Sequence, residues 1–245
     1  MNFTYWEGQC PAYITLCHET LARHNPDFVV LSKKDVDQAD FMQDLVNDEF
    51  YWRLMPAHRA DLIRIRYLEQ FGGFWIDSDF IALNSFDVIV EASQRHHAMY
   101  YYRDDWQPTN GILFAPPKHS AIVEWSWKNT AVFANLKRMD VLPTPQDRWC
   151  SFGADQLKVV LATAIDKCQD LTRERVQPIA YHSMDRYWST DDLRGNAWPA
   201  CYGYMLFNTG FPQWFKGLSR EEILSGPWLI SYLFRLGLGL EQHKC

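Results

Sequence analysis

The chain has 245 residues, a formal net charge of −6 and an aromatic content of 16%. The acidic balance argues against nucleic acid, or a strongly anionic membrane, as the main partner. The length suits one well-buried α/β domain, and no Pro-, Ser- or Gly-rich linker divides it, so we expect a single domain over residues 1–245.

The cysteines indicate a reducing compartment. They form no C-x-x-C pair and no spacing typical of zinc, and the first residues do not resemble a signal peptide. No run of 18 apolar residues predicts a transmembrane helix. We therefore expect a cytoplasmic protein, which could also sit at the inner face of a membrane.

The first third of the chain predicts alternating strands and helices. Residues 3–6 read as a strand, Pro11 opens a helix, residues 27–31 form a second strand, and Ser32 is placed to cap a helix-permissive segment after it. This β-α-β-α order fits a nucleotide-binding half.

A helix predicted over residues 58–71 carries an acid and a base on its apolar stripe. Asp61 and Arg64 share that stripe, while the opposite, solvated side is predicted to hold Arg59, Arg66 and Gln70. Asp61 and Arg64 could simply pair with each other in the core. Alternatively they could be site residues at a wet cleft, in which case Asp61→Asn would hardly change stability, and we favour this second interpretation.

A D-x-D motif follows this helix. Gly72-Gly73 ends the helix, a short apolar strand is predicted over residues 74–77, and Asp77 and Asp79 then point to one side of the strand's carboxyl end. Open α/β sheets bind ligands at that edge, and two hard oxygen donors suit Mg²⁺ or Mn²⁺ carrying substrate phosphates. A polar turn after a strand would explain the motif equally simply.

The remaining elements are predicted from local patterns. We expect a helix over residues 86–92, a strand over 97–102, helices over 118–136 and 151–165, a last strand at 200–202 and a tail helix within 221–240. The Asn110-Gly111 pair indicates a turn entering a strand. The tail helix could rest on a membrane surface, although core packing is the simpler role.

The pattern R-x-D-x-x-R-x-x-x-L-x-x-x-G-G-x-W-x-D-x-D spans Arg59 to Asp79. It resembles the sugar-binding region of glycosyltransferase family 32, which is shared with bacterial capsular polysaccharide synthesis proteins and the large clostridial glucosylating toxins. The resemblance implies the α/β GT-A (Rossmann-like) nucleotide-sugar fold, with a mixed central sheet flanked by helices. By this likeness Asp77 and Asp79 hold a divalent metal and the donor diphosphate, and Asp61 and Arg64 bind the donor sugar.

Further site residues are implied by the same resemblance. Trp6 matches the Trp that stacks on uracil, although a Trp closing the core would look the same. Asn110 matches a cleft residue, with an ordinary turn as the alternative. Asp155 and Gln156 would contact donor or acceptor from a helix start, where relatives carry Pro and this chain has Ala154; helix capping explains both nearly as well.

The third metal ligand departs from the pattern. Relatives place a His in the last strand-loop, and the nearest position here is Met205, whose thioether is a poor ligand for Mn²⁺. We therefore expect Asn208, His182 or water to complete the shell.

Together these features predict a Mn²⁺- or Mg²⁺-dependent retaining glycosyltransferase that moves a hexose from a UDP-sugar to a glycan acceptor, as in capsular or other surface polysaccharide synthesis. One alternative is a haloacid-dehalogenase-type phosphatase, whose D-x-D wants Thr or Val where this chain has Ile81. The other is a carbohydrate-binding module without catalysis.

Overall fold

The structure, a computed structural model, describes residues 1–105, 107–191, 193, 198 and 200–242. The chain forms two units by its internal contacts. Unit 1 contains Met1–Glu7, Val29–Ile76 and Ile89–Asp170, and unit 2 contains Gly8–Phe28, Asp77–Val88 and Leu171–Cys245. The prediction of a single domain over residues 1–245 stays a prediction.

Eight strands are described. They are β1 (Asn2–Tyr5), β2 (Phe28–Leu31), β3 (Gly73–Ile76), β4 (Phe80–Ala82), β5 (Met99–Asp104), β6 (Gln107–Ala115), β7 (Cys168–Leu171) and β8 (Gly203–Met205). Six of them form a sheet in the order β2-β1-β3-β6-β5-β7. β1 runs parallel to β3, whereas β6 is antiparallel to both β3 and β5, so the sheet is mixed.

The helices are α1 (Ala12–His24), α2 (Lys33–Asp37), α3 (Gln43–Val46), α4 (Glu49–Arg53), α5 (Pro56–Phe71), α6 (Asp87–His96), α7 (Ser120–Met139), α8 (Ala154–Ala164), α9 (Arg173–Val176), α10 (Gln213–Lys216), α11 (Arg220–Ser225) and α12 (Leu229–Gly237). Short 3₁₀ turns lie at Asp40–Met42, Ile165–Lys167, Tyr181–Trp188 and Asn208–Gly210. The predicted α/β class with a mixed central sheet flanked by helices is confirmed.

The junction between α5 and β3 depends on two glycines. Gly72 and Gly73 have φ angles of +60° and +96°. A Cβ atom on Gly73 would lie 1.8 Å from the Met1 carbonyl oxygen, and one on Gly72 would lie 2.4 Å from the Pro117 nitrogen. Because glycine has no Cβ atom, it permits both the positive φ angles and the close approach of the neighbouring backbone. These two glycines therefore fix the point where α5 ends and β3 begins.

Local signals placed these elements well, and Pro56 at the first position of α5 explains why the helix begins slightly earlier than predicted. Ser32 caps α2 with a reciprocal capping box, as expected for a Ser followed by an acid three residues later. Leu62, Ile63, Ile65 and Leu68 of α5 belong to the core of unit 1.

Four local predictions are wrong. Arg59 does not lie on a solvated face; it is only 8% exposed and forms an ion pair with Glu7. Asn110 lies inside β6 rather than in a turn before it. The last strand is β8, one residue beyond the predicted segment, and the tail forms the two helices α11 and α12 instead of one.

Unit 2 is built around a two-stranded antiparallel sheet of β4 and β8, in which Phe80 pairs with Met205. The Thr20 hydroxyl of α1 accepts a 3.0 Å hydrogen bond from the Ala82 backbone N–H of β4. Most of α12 is buried, which confirms core packing for this part of the tail. None of the helices in the described part of the chain combines the length and apolar composition that a membrane crossing requires.

Candidate functional site

Unit 1 brings three of the predicted site residues into one hydrogen-bonded group. The Asn110 side-chain amide donates a 2.7 Å hydrogen bond to Asp61 Oδ1, and Arg64 Nη2 lies 3.2 Å from the same oxygen. Arg64 Nη1 donates to the backbone carbonyl of Asn110. α5 supplies the acid and the base, and β6 supplies the amide, so residues 46 and 49 positions apart in sequence meet here.

This group is more enclosed than we expected. Arg64 is 4% exposed, and its guanidinium lies 4.7 Å from the centre of the Trp75 ring on β3. The Asp61 side chain keeps 13% exposure, against 5% for Arg64. The wet-cleft environment predicted for both residues is therefore wrong for Arg64, which is a buried cation held by a carboxylate, a carbonyl and a ring.

Gly153, which is not among the predicted site residues, allows a helix start to approach this group. A Cβ atom at this position would lie 2.4 Å from Asn110 Nδ2 and 3.1 Å from Asp61 Oδ2. Gly153 is the N-cap residue of α8. In a sequence, a glycine at a helix start can serve several purposes. Only its packing against Asn110 and Asp61 shows that Gly153 is needed for a close approach.

Asp155 and Gln156 lie in the first turn of α8, as predicted. Gln156 Nε2 donates a 3.0 Å hydrogen bond to the Ser151 carbonyl, which is a local contact but not helix capping, because a cap accepts from a backbone N–H. Burial raises the pKa of the Cys150 thiol, and the negative charges of Asp155 and Asp61 raise that pKa further. The carboxylates of Asp155 and Asp61 therefore act on the same thiol.

Trp6 directly follows β1 and is partly exposed. Its backbone N–H donates a 3.0 Å hydrogen bond to the Leu31 carbonyl, so the main chain of Trp6 continues the pairing with the neighbouring strand. The adjacent Glu7 is fixed by its ion pair with Arg59. Stacking of Trp6 on a base stays a prediction.

The D-x-D motif connects β3 to β4 and belongs to unit 2. Ser78 is 7% exposed, whereas Asp77 and Asp79 on either side of it are partly exposed. Ser78 and Asp79 lie in a turn between β3 and β4, as in the polar-turn alternative, so strand alternation does not set the directions of the two carboxylates. The Asp79 carbonyl accepts a 2.9 Å hydrogen bond from the Leu206 N–H.

Asn208, one of the predicted metal ligands, is held next to Asp79. The backbone N–H of Asn208 donates to Asp79 Oδ2, and the Tyr13 hydroxyl donates to Asn208 Oδ1. Burial raises the pKa of Tyr13, and the charge of Asp79 raises that pKa further. Met205, which stands where relatives carry a His, is buried in β8, and its carbonyl accepts a 2.6 Å hydrogen bond from the Tyr187 hydroxyl.

His182 lies in the exposed part of the 3₁₀ turn Tyr181–Trp188. Within the part of the chain that the structure describes, no three His, Cys, Asp or Glu side chains gather where they could hold a metal ion. The oxygens of Asp77, Asp79 and Asn208 still fit Mg²⁺ or Mn²⁺. These ions keep several water ligands and are commonly bound by one or two carboxylates together with substrate phosphates.

The comparison with protein families bears on this motif. Residues 11–96 match the family described as the glycosyltransferase sugar-binding region containing a D-x-D motif. The predicted resemblance is confirmed for this stretch. It includes Asp61, Arg64, Asp77 and Asp79, and it supports a glycosyltransferase.

The comparison with solved structures finds two glycosyltransferases of low similarity to this chain. PaToxG Glycosyltransferase has 13% identity and a TM-score of 0.48, with 98% of this chain and 86% of that chain covered. The ligand-free glycosyltransferase domain from the YGT toxin has 10% identity and a TM-score of 0.38, with coverage of 58% and 52%. A search of curated proteins gives no match.

Proposed function

We propose that this protein is a metal-dependent, retaining glycosyltransferase that transfers a hexose from a UDP-sugar to a hydroxyl group of a glycan acceptor. We assign it to the synthesis of capsular or other surface polysaccharide, in the cytoplasm or at the inner face of the membrane. The observation that carries the proposal is the family match over residues 11–96, which contains the D-x-D motif.

In unit 2 we assign Asp77 and Asp79 to the metal and the donor diphosphate. Bound there, Mn²⁺ or Mg²⁺ would supply positive charge for the leaving diphosphate. Asp79 is suited to this role because the Asn208 N–H holds one of its carboxylate oxygens, and a fixed carboxylate needs little reorganisation when a cation binds. Asn208 could add an amide oxygen to the ligand set, and His182 is the alternative.

In unit 1 we assign Asp61 to the hydroxyl groups of the donor sugar. Asp61 is the more exposed member of its pair, and Arg64 and Asn110 hold its carboxylate from the protein side. We therefore assign Arg64 mainly to orienting Asp61, with a direct bond to the sugar as its further role. Asp155 is exposed in the first turn of α8 and is assigned to donor or acceptor contacts together with Gln156.

Trp6 is assigned to the uracil ring, on which its partly exposed indole would stack. No side chain in the sequence is an obvious covalent nucleophile, so front-face attack and double displacement are both compatible with retention. The acceptor hydroxyl or, in its absence, water would take the hexose.

The test is a panel of UDP- and GDP-hexoses incubated with the purified protein in Mn²⁺, Mg²⁺ or EDTA, and scored for release of UDP or GDP. We expect UDP release from one or two donors, dependence on the divalent ion, and loss of activity in Asp79→Ala. NMR of the released or transferred sugar then reports the anomeric configuration.

Simple phosphate esters and glycans, assayed beside this panel, separate the other two functions. Release of inorganic phosphate from simple phosphate esters, without turnover of any nucleotide sugar, would replace the transferase by a phosphatase. Glycan binding without turnover of any donor would leave a carbohydrate-binding module.

A further inference from the structure

A chain of hydrogen bonds in unit 2 links the D-x-D motif to the interior. The Tyr13 hydroxyl on α1 donates to Asn208 Oδ1, and the Asn208 backbone N–H donates to Asp79 Oδ2. Tyr13 and Asn208 are 195 positions apart in sequence, and Asn208 and Asp79 are 129 apart. Three separate segments are thus joined through Asn208.

Tyr13 is the rigid end of this chain. Its side chain is fully buried, and its ring packs 6.1 Å from the Phe211 ring and 5.7 Å from the Phe215 ring, measured between ring centres. A ring enclosed in this way cannot swing its hydroxyl away. A tyrosine hydroxyl ordinarily has a pKa of about 10, so at neutral pH it keeps its proton and can donate to Asn208 Oδ1.

The turn that carries Asn208 depends on such contacts. Phe207, the residue before it, has a φ of +57°, a left-handed conformation that is costly for a residue with a Cβ atom. Strained backbone of this kind persists only where the surroundings fix it. The two hydrogen bonds of Asn208, one from Tyr13 and one to Asp79, provide that restraint.

We propose that Tyr13 is a positioning residue for the D-x-D motif, which fixes the orientation of the Asp79 carboxylate through Asn208. The inference rests on the proposed function, because it concerns the same metal and diphosphate ligands. Tyr13 itself touches neither the metal nor the donor. Its effect is on the affinity of the Asp79 site for a divalent ion, and residues that orient a metal ligand commonly change that affinity 10- to 100-fold.

The test is a titration of Mn²⁺ by electron paramagnetic resonance, with and without UDP, on the wild type and on Tyr13→Phe. Phenylalanine keeps the packing and removes only the hydroxyl. We expect Tyr13→Phe to weaken Mn²⁺ binding about 10-fold or more, with a melting temperature within about 4 °C of the wild type. Tyr204→Phe is the matched control, because Tyr204 is also fully buried in unit 2 and its hydroxyl accepts a hydrogen bond from the Trp198 N–H instead of donating to Asn208. We expect that control to bind Mn²⁺ within twofold of wild type.

The double variant Tyr13→Phe/Asn208→Ala tests the route. If Tyr13 acts through Asn208, the double variant binds Mn²⁺ no more weakly than Asn208→Ala alone. Tyr13→Phe binding within twofold of wild type, or effects that multiply in the double variant, would overturn the inference while leaving the transferase proposal in place. A wild type that binds neither Mn²⁺ nor UDP would overturn both. Should Tyr13→Phe fail to fold, Asn208→Ala decides, and an unchanged Mn²⁺ affinity in that variant would remove the proposed route.

Discussion

Replacing Asp61 by Asn removes one charge from the buried group of unit 1 and changes little else. The new amide oxygen can still accept the hydrogen bond from Asn110, which spans 2.7 Å in the wild type. Arg64, however, loses the carboxylate of Asp61 while remaining 4% exposed. The variant therefore tests how much the charge of Asp61 contributes to holding this buried cation.

The structure sets the size of the effect. Removing one member of a buried ion pair usually costs about 3–5 kcal/mol, because the remaining charge stays desolvated. Arg64 keeps the Asn110 carbonyl and the Trp75 ring, and a desolvated cation over a ring contributes about 1–2 kcal/mol. We therefore expect a loss at the lower end, about 3 kcal/mol. For a chain of this size that corresponds to a fall in melting temperature of roughly 6–12 °C.

The measurements are thermal and urea unfolding of Asp61→Asn beside Asp155→Asn. Asp155 carries the same chemical change at an exposed position, 3.9 Å from Lys158, so its variant should stay within about 0.5 kcal/mol of wild type. Titrations with UDP and with the UDP-sugar then separate stability from binding, because UDP lacks the sugar that Asp61 is proposed to contact. If Asp61→Asn has the same melting temperature as the wild type and Asp155→Asn, the buried-pair argument is refuted and the wet-cleft interpretation is supported.

Four further outcomes are expected. Asp79→Ala, and likewise Asp77→Ala, should lose metal-dependent turnover while remaining folded, with about 1–3 kcal/mol of stability lost in Asp79→Ala because the Asn208 N–H loses its acceptor; retained turnover would remove the metal role. Trp6→Ala should weaken UDP binding at least about fivefold, the equivalent of about 1 kcal/mol of stacking, with Trp6→Phe in between, and equal affinities would count against the base platform. Gly153→Ala should destabilise by about 1–3 kcal/mol and weaken sugar binding, because its Cβ would displace the Asn110 amide 2.4 Å away; Gly217→Ala, whose Cβ meets nothing nearer than 3.7 Å, is the control. Burial lowers the pKa of His18 from 6.5 to about 4, so the unfolded state binds more protons than the folded state between these pH values. The free energy of unfolding should therefore fall by up to about 3 kcal/mol as the pH drops from 6.5 to about 4. This fall should be smaller in His18→Gln.

Elements with strong local signals were predictable from the sequence. The end of α5 at Gly72 agrees with the pattern, because the left-handed backbone that ends the helix requires glycine, and β3 begins at Gly73, one residue before the predicted start. The D-x-D after β3 was likewise visible. Asn110 was misplaced because Asn-Gly has a strong turn preference, whereas its place inside β6 is decided by pairing with the neighbouring strands.

The environment of charged side chains was the least predictable part. Helical periodicity put Arg59 on a solvated face, but its ion pair with Glu7 comes from a segment 52 positions away. Periodicity put Asp61 and Arg64 on the apolar stripe, and we favoured a wet cleft for both, whereas Arg64 is enclosed by Asn110 and Trp75 from two strands. Periodicity within one helix carries no information about the partners that other parts of the chain supply, so it could not predict these contacts.

Tyr13 shows why functional residues of this kind escape sequence analysis. On α1 it shares an apolar face with Ile14, Cys17 and Leu21, and in a sequence its ring is indistinguishable from core packing. Most of its surface is indeed core. Only the last atom, the hydroxyl, reaches Asn208 and through it Asp79, and that contact depends on a turn nearly two hundred residues away. A residue can therefore serve the fold with its ring and the site with its hydroxyl, and Tyr13→Phe separates the two because it changes only the second.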